Sequence, residues 1–177
     1  MSLPFYHFEI ERTYFSDDTF GVIGRALTFA TDFEANCKSL SMLIDIKLNI
    51  KSRKFSLENE NYFKSFLEKL GRKSLFQHIK TIEQYLKIGD INSLIINGKN
   101  ARNFIVHELT LGIKESVEKD EGRKYIFESL KEKIAEIAKA NIIIILLISL
   151  KTNDVIPTPD YIKKYINMIL TWVLEVE

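Results

Sequence analysis

Between Pro4 and Pro157 the chain runs for about 150 residues without a proline. Proline removes a backbone donor and clashes with the preceding helical turn, so a stretch this long without one lets helices run undisturbed. Glycine is also sparse, and Leu, Ile, Lys and Glu recur at three- and four-residue spacing. No internal repeat is visible and no Ser/Gly/Pro linker divides the chain. The expectation is one all-α domain over residues 1–177, folded as an antiparallel up-and-down bundle of about five to six helices.

The helices can be placed in outline. Residues 1–16 alternate weakly (Phe8, Glu9, Ile10, Glu11) and read as an extended N-terminal arm. Asp17 and Asp18 then offer a cap and a favourable dipole charge for a long helix over about 18–50. Its apolar stripe is Phe20, Ile23, Leu27, Ala30, Cys37, Leu40, Ile44 and Leu48. Glu34 falls on that stripe, and a carboxylate facing a core requires a partner or a shifted pKa. Further helices are expected over 57–70, ending at Gly71, and over 73–88, ending at Gly89. Asp90 should cap a fourth to about 117, with Gly98 and Gly112 as weak points, and a fifth covers about 121–151. After Pro157-Thr158-Pro159, Asp160 should cap an additional C-terminal helix within 159–175. That helix places Tyr161, Ile162, Tyr165, Ile166, Ile169 and Val173 on one face, with Trp172 beside it.

Composition narrows the class without naming a function. With 46% hydrophobic and 28% charged residues the chain is not intrinsically disordered. The lone Cys37 cannot form an intrachain disulfide and reads as a small core residue; no Cys/His cluster has zinc spacing, so no metal and no cofactor is expected. Net charge is +1, but residues 51–107 carry eleven Lys/Arg against five Asp/Glu, whereas residues 1–50 carry four against seven. The basic segment either faces phosphate or complements the acidic one within the fold. The N-terminus lacks the pattern of a signal peptide. Ala140–Leu150 (ANIIIILLISL) is about half the length needed to span a bilayer, so it reads as a core helix of a cytoplasmic protein with no membrane partner.

Common site motifs are missing. Gly98-Lys99 has Ser93 where a phosphate-binding loop needs Gly and Asn100 where it needs Ser or Thr. Gly21-x-x-Gly24 lies inside a helix with no strand before it. None of the three histidines follows a Glu by three residues, which removes the di-iron carboxylate bundle. What remains is Asn100-Ala101-Arg102-Asn103-Phe104-Ile105-Val106-His107-Glu108-Leu109 on the fourth helix. Arg72 and His78 also fit an Arg-to-His spacing, with five residues between. Arg102 is preferred because Asn103 follows it and because Arg72 comes just after a helix-ending glycine.

In these residues the chain resembles the HEPN superfamily, whose active members carry an Arg, a polar residue often Asn, three mostly apolar residues and a His on one bundle helix. Arg102, Asn103 and His107 match position by position, and the all-α architecture is similar. The resemblance implies a metal-independent endoribonuclease that cleaves RNA to 2′,3′-cyclic phosphate ends, in stress response or defence. It implies catalytic roles for Arg102, His107 and Asn103. It also implies a homodimer whose two motifs meet across a two-fold, and a protein antitoxin or regulator as a further partner. One departure weakens the toxin–antitoxin version: Leu109 stands where toxins modified by a nucleotidyltransferase antitoxin usually carry Tyr.

The residue types suit that chemistry. Imidazole, with a reference pKa of about 6.5, both accepts and donates protons near neutrality. Guanidinium binds two phosphate oxygens at once and keeps its charge. RNA is required because the 2′-hydroxyl is the attacking group. On a regular α-helix, however, Arg102 lies about 140° round from His107. It falls on the apolar stripe, where Glu34 is its natural ion-pair partner. His107 also reads as an ordinary solvent-facing helix residue. Two further functional classes therefore stand beside the ribonuclease: a non-catalytic helical module binding RNA, nucleotide or a protein partner, and a purely structural bundle.

Overall fold

The computed structural model describes residues 14–51, 60–87, 89–109, 111, 117 and 119–175. They form an all-α bundle of six α-helices: α1 (Tyr14–Lys51), α2 (Glu60–Gly71), α3 (Leu75–Leu86), α4 (Gly89–Asn103), α5 (Asp120–Thr152) and α6 (Pro159–Leu174). A π-helical segment, Phe104–Glu108, continues α4. Among the described residues no helix is long and apolar enough to cross a membrane.

Long-range contacts set the directions. Lys38 of α1 lies beside Gly71, Ser41 pairs with His78, and Lys73 joins Asp45 to Thr81, so α3 runs parallel to α1, with α2 between them in sequence. Gly98 of α4 lies against Ala140 of α5, and Phe104 lies near Lys133, which makes that pair antiparallel. α6 returns along α1: Tyr165 joins Asn141, which joins Asn36, while Arg25 reaches Val173. The core is a continuous cluster of Val22, Phe29, Phe33, Leu40, Ile44, Ile79, Ile82, Ile95, Ile105, Leu130, Ile134, Ile137 and Ile144 with their neighbours.

Chain ends of helices explain most differences from the expected boundaries. The arm expected over 1–16 is already helical from Tyr14, so Asp17 lies in the first turn of α1 and acts on the helix dipole there; residues 1–13 lie outside the described residues. Ser74 caps α3 through a reciprocal pair, its Oγ accepting from the Gln77 amide at 3.4 Å and its amide donating to Gln77 Oε1 at 2.8 Å. That helix stops at Leu86 because Lys87 takes the left-handed conformation (φ 53°); Gly89 then begins α4, with Asp90 in its first turn. Likewise Thr158, not Asp160, caps α6, and Pro159 sits at the first helical position, where its missing N–H costs nothing. Arg25 terminates α6 by donating to the Val173 carbonyl at 3.1 Å and the Glu175 carbonyl at 2.6 Å.

The α1 stripe is buried through its middle, at Ile23, Ala30, Cys37, Leu40 and Ile44, whereas Phe20 and Leu48 at its ends are exposed. Cys37 is fully buried, and burial, reinforced by Glu34, pushes its thiol up, so it stays protonated and unreactive. The Ala140–Leu150 run is core helix, and it contains one buried amide, Asn141. Asn141 is satisfied on both sides: Asn36 Nδ2 donates to its Oδ1 at 3.1 Å and its Nδ2 donates to the Tyr165 hydroxyl at 2.8 Å. Burial pushes the Tyr165 phenol up to about 12, so it stays neutral at the junction of α1, α5 and α6.

Gly98 is a point of close approach rather than a weak point. A Cβ there would lie 2.5 Å from Ala140 Cβ and 3.1 Å from Phe33 Cζ, distances that two packed helices cannot yield without moving. Gly98→Ala gains about 1 kcal/mol of helix propensity but overpacks the junction by about 1–3 kcal/mol. It is expected to lower the urea midpoint. The double variant Gly98→Ala/Ala140→Gly, which moves the methyl across the interface, should recover part of that loss.

Candidate functional site

The site is built where α4 meets α1. Gly98 lets α4 press on Phe33, and one turn later Arg102 faces Glu34, the residue after Phe33. Arg102 Nη2 donates to Glu34 Oε2; the Arg102 side chain is 16% exposed and that of Glu34 35%. The core-facing carboxylate thus has the partner its position on the stripe demanded. The pair seats the guanidinium at the edge of the core with Nη1 turned toward Asn103 and His107.

Arg102 Nη1 donates to Asn103 Oδ1 at 3.1 Å and lies 3.4 Å from His107 Nε2. Regular α geometry would not allow the second contact, because five residues span about 1.4 turns. The backbone instead widens into π geometry over Phe104–Glu108, with the Leu109 amide donating to the Phe104 carbonyl at 2.9 Å. In such an i→i+5 turn each residue rotates less than in an α-helix. The 140° separation is thereby reduced, the long Arg102 side chain spans what is left, and one chain gathers Arg102, Asn103 and His107 on its own. The segment is anchored from inside by Ile105, fully buried, and by Leu109, also buried.

The protonation pattern of this contact follows from the donor inventory. Guanidinium has no acceptor, so Nε2 of His107 accepts and the neutral ring carries its proton on Nδ1. His107 is exposed, which leaves Nδ1 and the ring face open to a ligand. Arg102 Nε is buried without a partner. Lys133 lies 6.0 Å from the Phe104 ring centroid and is held by Glu132 and Glu136. Among the described residues no group of three His, Cys, Asp or Glu side chains is gathered to hold a metal, and Glu34 is committed to Arg102.

The competing pair is not a site. Arg72 lies exposed in the turn after α2, while His78 is 1% exposed and faces α1, with Ser41 Oγ 2.7 Å from its Nδ1. The helical setting of Arg102 and the turn setting of Arg72 thus agree with the sequence. The π segment had no signal in it, since an Arg-to-His count assumes nothing about pitch. Gly112, expected as a second weak point of this helix, lies outside the described residues. No family model, no curated protein and no solved structure matches the chain.

Burial, with Lys73 and Lys38 nearby, lowers the pKa of His78, and its Nε2 has no partner. A lowered folded-state pKa means that the unfolded chain binds the proton more readily. Stability is therefore lost as pH falls below about 6.5, the unfolded value. Urea midpoints measured from neutral to mildly acidic pH should fall for the wild type. The fall should be smaller for His78→Asn, whose amide keeps the hydrogen bond to Ser41 and does not titrate.

Proposed function

We propose that the Arg102–Asn103–His107 cluster is the catalytic centre of a HEPN-type, metal-independent endoribonuclease that leaves 2′,3′-cyclic phosphate and 5′-hydroxyl ends. The observation that supports it is the π segment, which sets a guanidinium and an imidazole 3.4 Å apart at a surface. π segments of this kind occur frequently at functional sites, and a regular helix would be the more stable default.

In this reading the phosphate of a bound RNA takes over the hydrogen bond that Arg102 Nη1 makes to His107. Nε2 is then free to accept the proton of the 2′-hydroxyl as O2′ bonds to phosphorus. The guanidinium, held from behind by Glu34, stabilises the charge that collects on the phosphorane oxygens. The P–O5′ bond breaks as O5′ receives a proton. In the homodimer that the resemblance implies, a second motif faces the first and supplies that proton. Glu34 acts as a positioning residue, because it touches Arg102 and not the substrate. RNA, a second copy of the chain and a regulatory protein are the proposed partners, in a cytoplasmic stress or defence role.

A second reading has its own support. Arg102 is already ion-paired, and a motif whose charge is answered within the fold equally serves a non-catalytic module that holds RNA, nucleotide or protein. Cleavage separates the two. Pure protein incubated with end-labelled single-stranded RNA in EDTA is expected to give cyclic-phosphate ends. His107→Ala should lose about 10²–10⁴-fold in rate and Arg102→Ala about 10²–10³-fold, with a smaller loss for Asn103→Ala. Glu34→Gln, which keeps an acceptor for Arg102, should lose less than Glu34→Ala. Cleavage that survives in the His107 variant would sink the catalytic assignment.

A further inference from the structure

One large aromatic side chain near this centre is left mostly in solvent. α3 buries Leu75, His78, Ile79 and Ile82, but Phe76 is 61% exposed. A single exposed apolar residue is common and by itself says nothing. The setting of Phe76 is what distinguishes it. Lys99 of α4 places Nζ 5.6 Å from the ring centroid, covering one face of the ring. Lys80 stands one helical turn after Phe76 along α3, and Arg72 lies in the turn that leads into α3, both exposed. Lys38 of α1 brings its ammonium beside Gly71, next to Arg72. Among the described residues none of these four cations has an ion-pair partner.

The same patch adjoins the candidate centre. Lys99 lies one turn before Asn103 on α4, about 6 Å along the axis, and three residues before Arg102. An exposed aromatic ring with one cation against it and others nearby suits a ligand with alternating flat rings and negative charges. Single-stranded nucleic acid has that form, and its binding sites combine a basic track with aromatic platforms on which bases stack. A duplex hides its base faces, and an acidic peptide would answer the cations but not the open ring.

We infer that Phe76 is the stacking platform for a base of single-stranded RNA flanking the phosphate at Arg102 and His107. Lys99, Lys80 and Arg72 hold the neighbouring phosphates. This inference rests on the ribonuclease reading and adds to it a substrate-binding subsite. It also accounts for part of the excess of cations over residues 51–107: Arg72, Lys80 and Lys99 are drawn from that segment, whereas Lys38 joins them from α1.

The test measures binding, so that it does not depend on catalysis. In full-length protein carrying His107→Ala, affinity for a short fluorescent single-stranded RNA is compared with the added changes Phe76→Leu, Phe76→Tyr and Lys99→Ala. Phe76→Leu, which keeps bulk but not the ring, should weaken binding about five- to hundredfold, and Phe76→Tyr should restore it. Lys99→Ala should reduce the slope of log affinity against log salt by about 0.7. Duplex RNA should bind without sensitivity to Phe76. Equal affinity for the Phe76→Leu protein and its parent would overturn the inference even if the wild type cleaves RNA. Absence of RNA binding would overturn it too. Stacking at Phe76 in a protein whose wild type cleaves nothing would uphold the platform and remove the ribonuclease reading alone.

Discussion

A carboxylate on the buried stripe of a helix is tolerated only where a cation reaches it, and in this chain that condition fixes how α4 lies on α1. Glu34 follows Phe33, and Phe33 is the side chain against which Gly98 closes. The absence of a side chain at Gly98 brings α4 near enough for Arg102, one turn on, to meet Glu34. Breaking a buried ion pair by removing one partner costs about 3–5 kcal/mol; Glu34 is about a third exposed, so solvent screening reduces the figure here. The pair therefore does more to fix register than to add stability. It decides which residues of α4 face the surface beside it.

The π segment is the second consequence. Once Arg102 is pinned, the next buried positions are Ile105 and Leu109, four apart on one helix face, while His107 stays in solvent beside the guanidinium. Regular pitch would carry His107 away from Arg102. Leu109, two residues after His107, is turned into the core.

Much of this was legible in the sequence, and the rest has identifiable causes. The scarcity of Pro and Gly announced an all-α bundle, and the place of Glu34 and Arg102 on two apolar stripes announced their pairing. Caps were displaced by a residue or two because several acidic side chains near helix starts serve the dipole from within the first turn, as Asp17, Asp90 and Asp160 do. Phe20 and Leu48 continue the α1 stripe in sequence but not in burial, because both lie near the ends of a 38-residue helix whose buried contacts are concentrated in its middle. Gly98 read as a defect because the Ala140 and Phe33 opposite it are distant in sequence. The convergence of Arg102 with His107 was not legible at all, since a stripe drawn at 3.6 residues per turn places them apart.

The contact between Arg102 and His107 is the claim from which the rest follows, and side-chain ¹⁵N NMR of the imidazoles tests it directly. Single substitutions assign the three histidines. At a pH where His107 is neutral, Nε2 is expected to be the unprotonated nitrogen and Nδ1 the protonated one. In Arg102→Ala that preference should be lost. A neutral His107 ring carrying its proton on Nε2, and indifferent to Arg102, would contradict the contact and the π geometry that makes it.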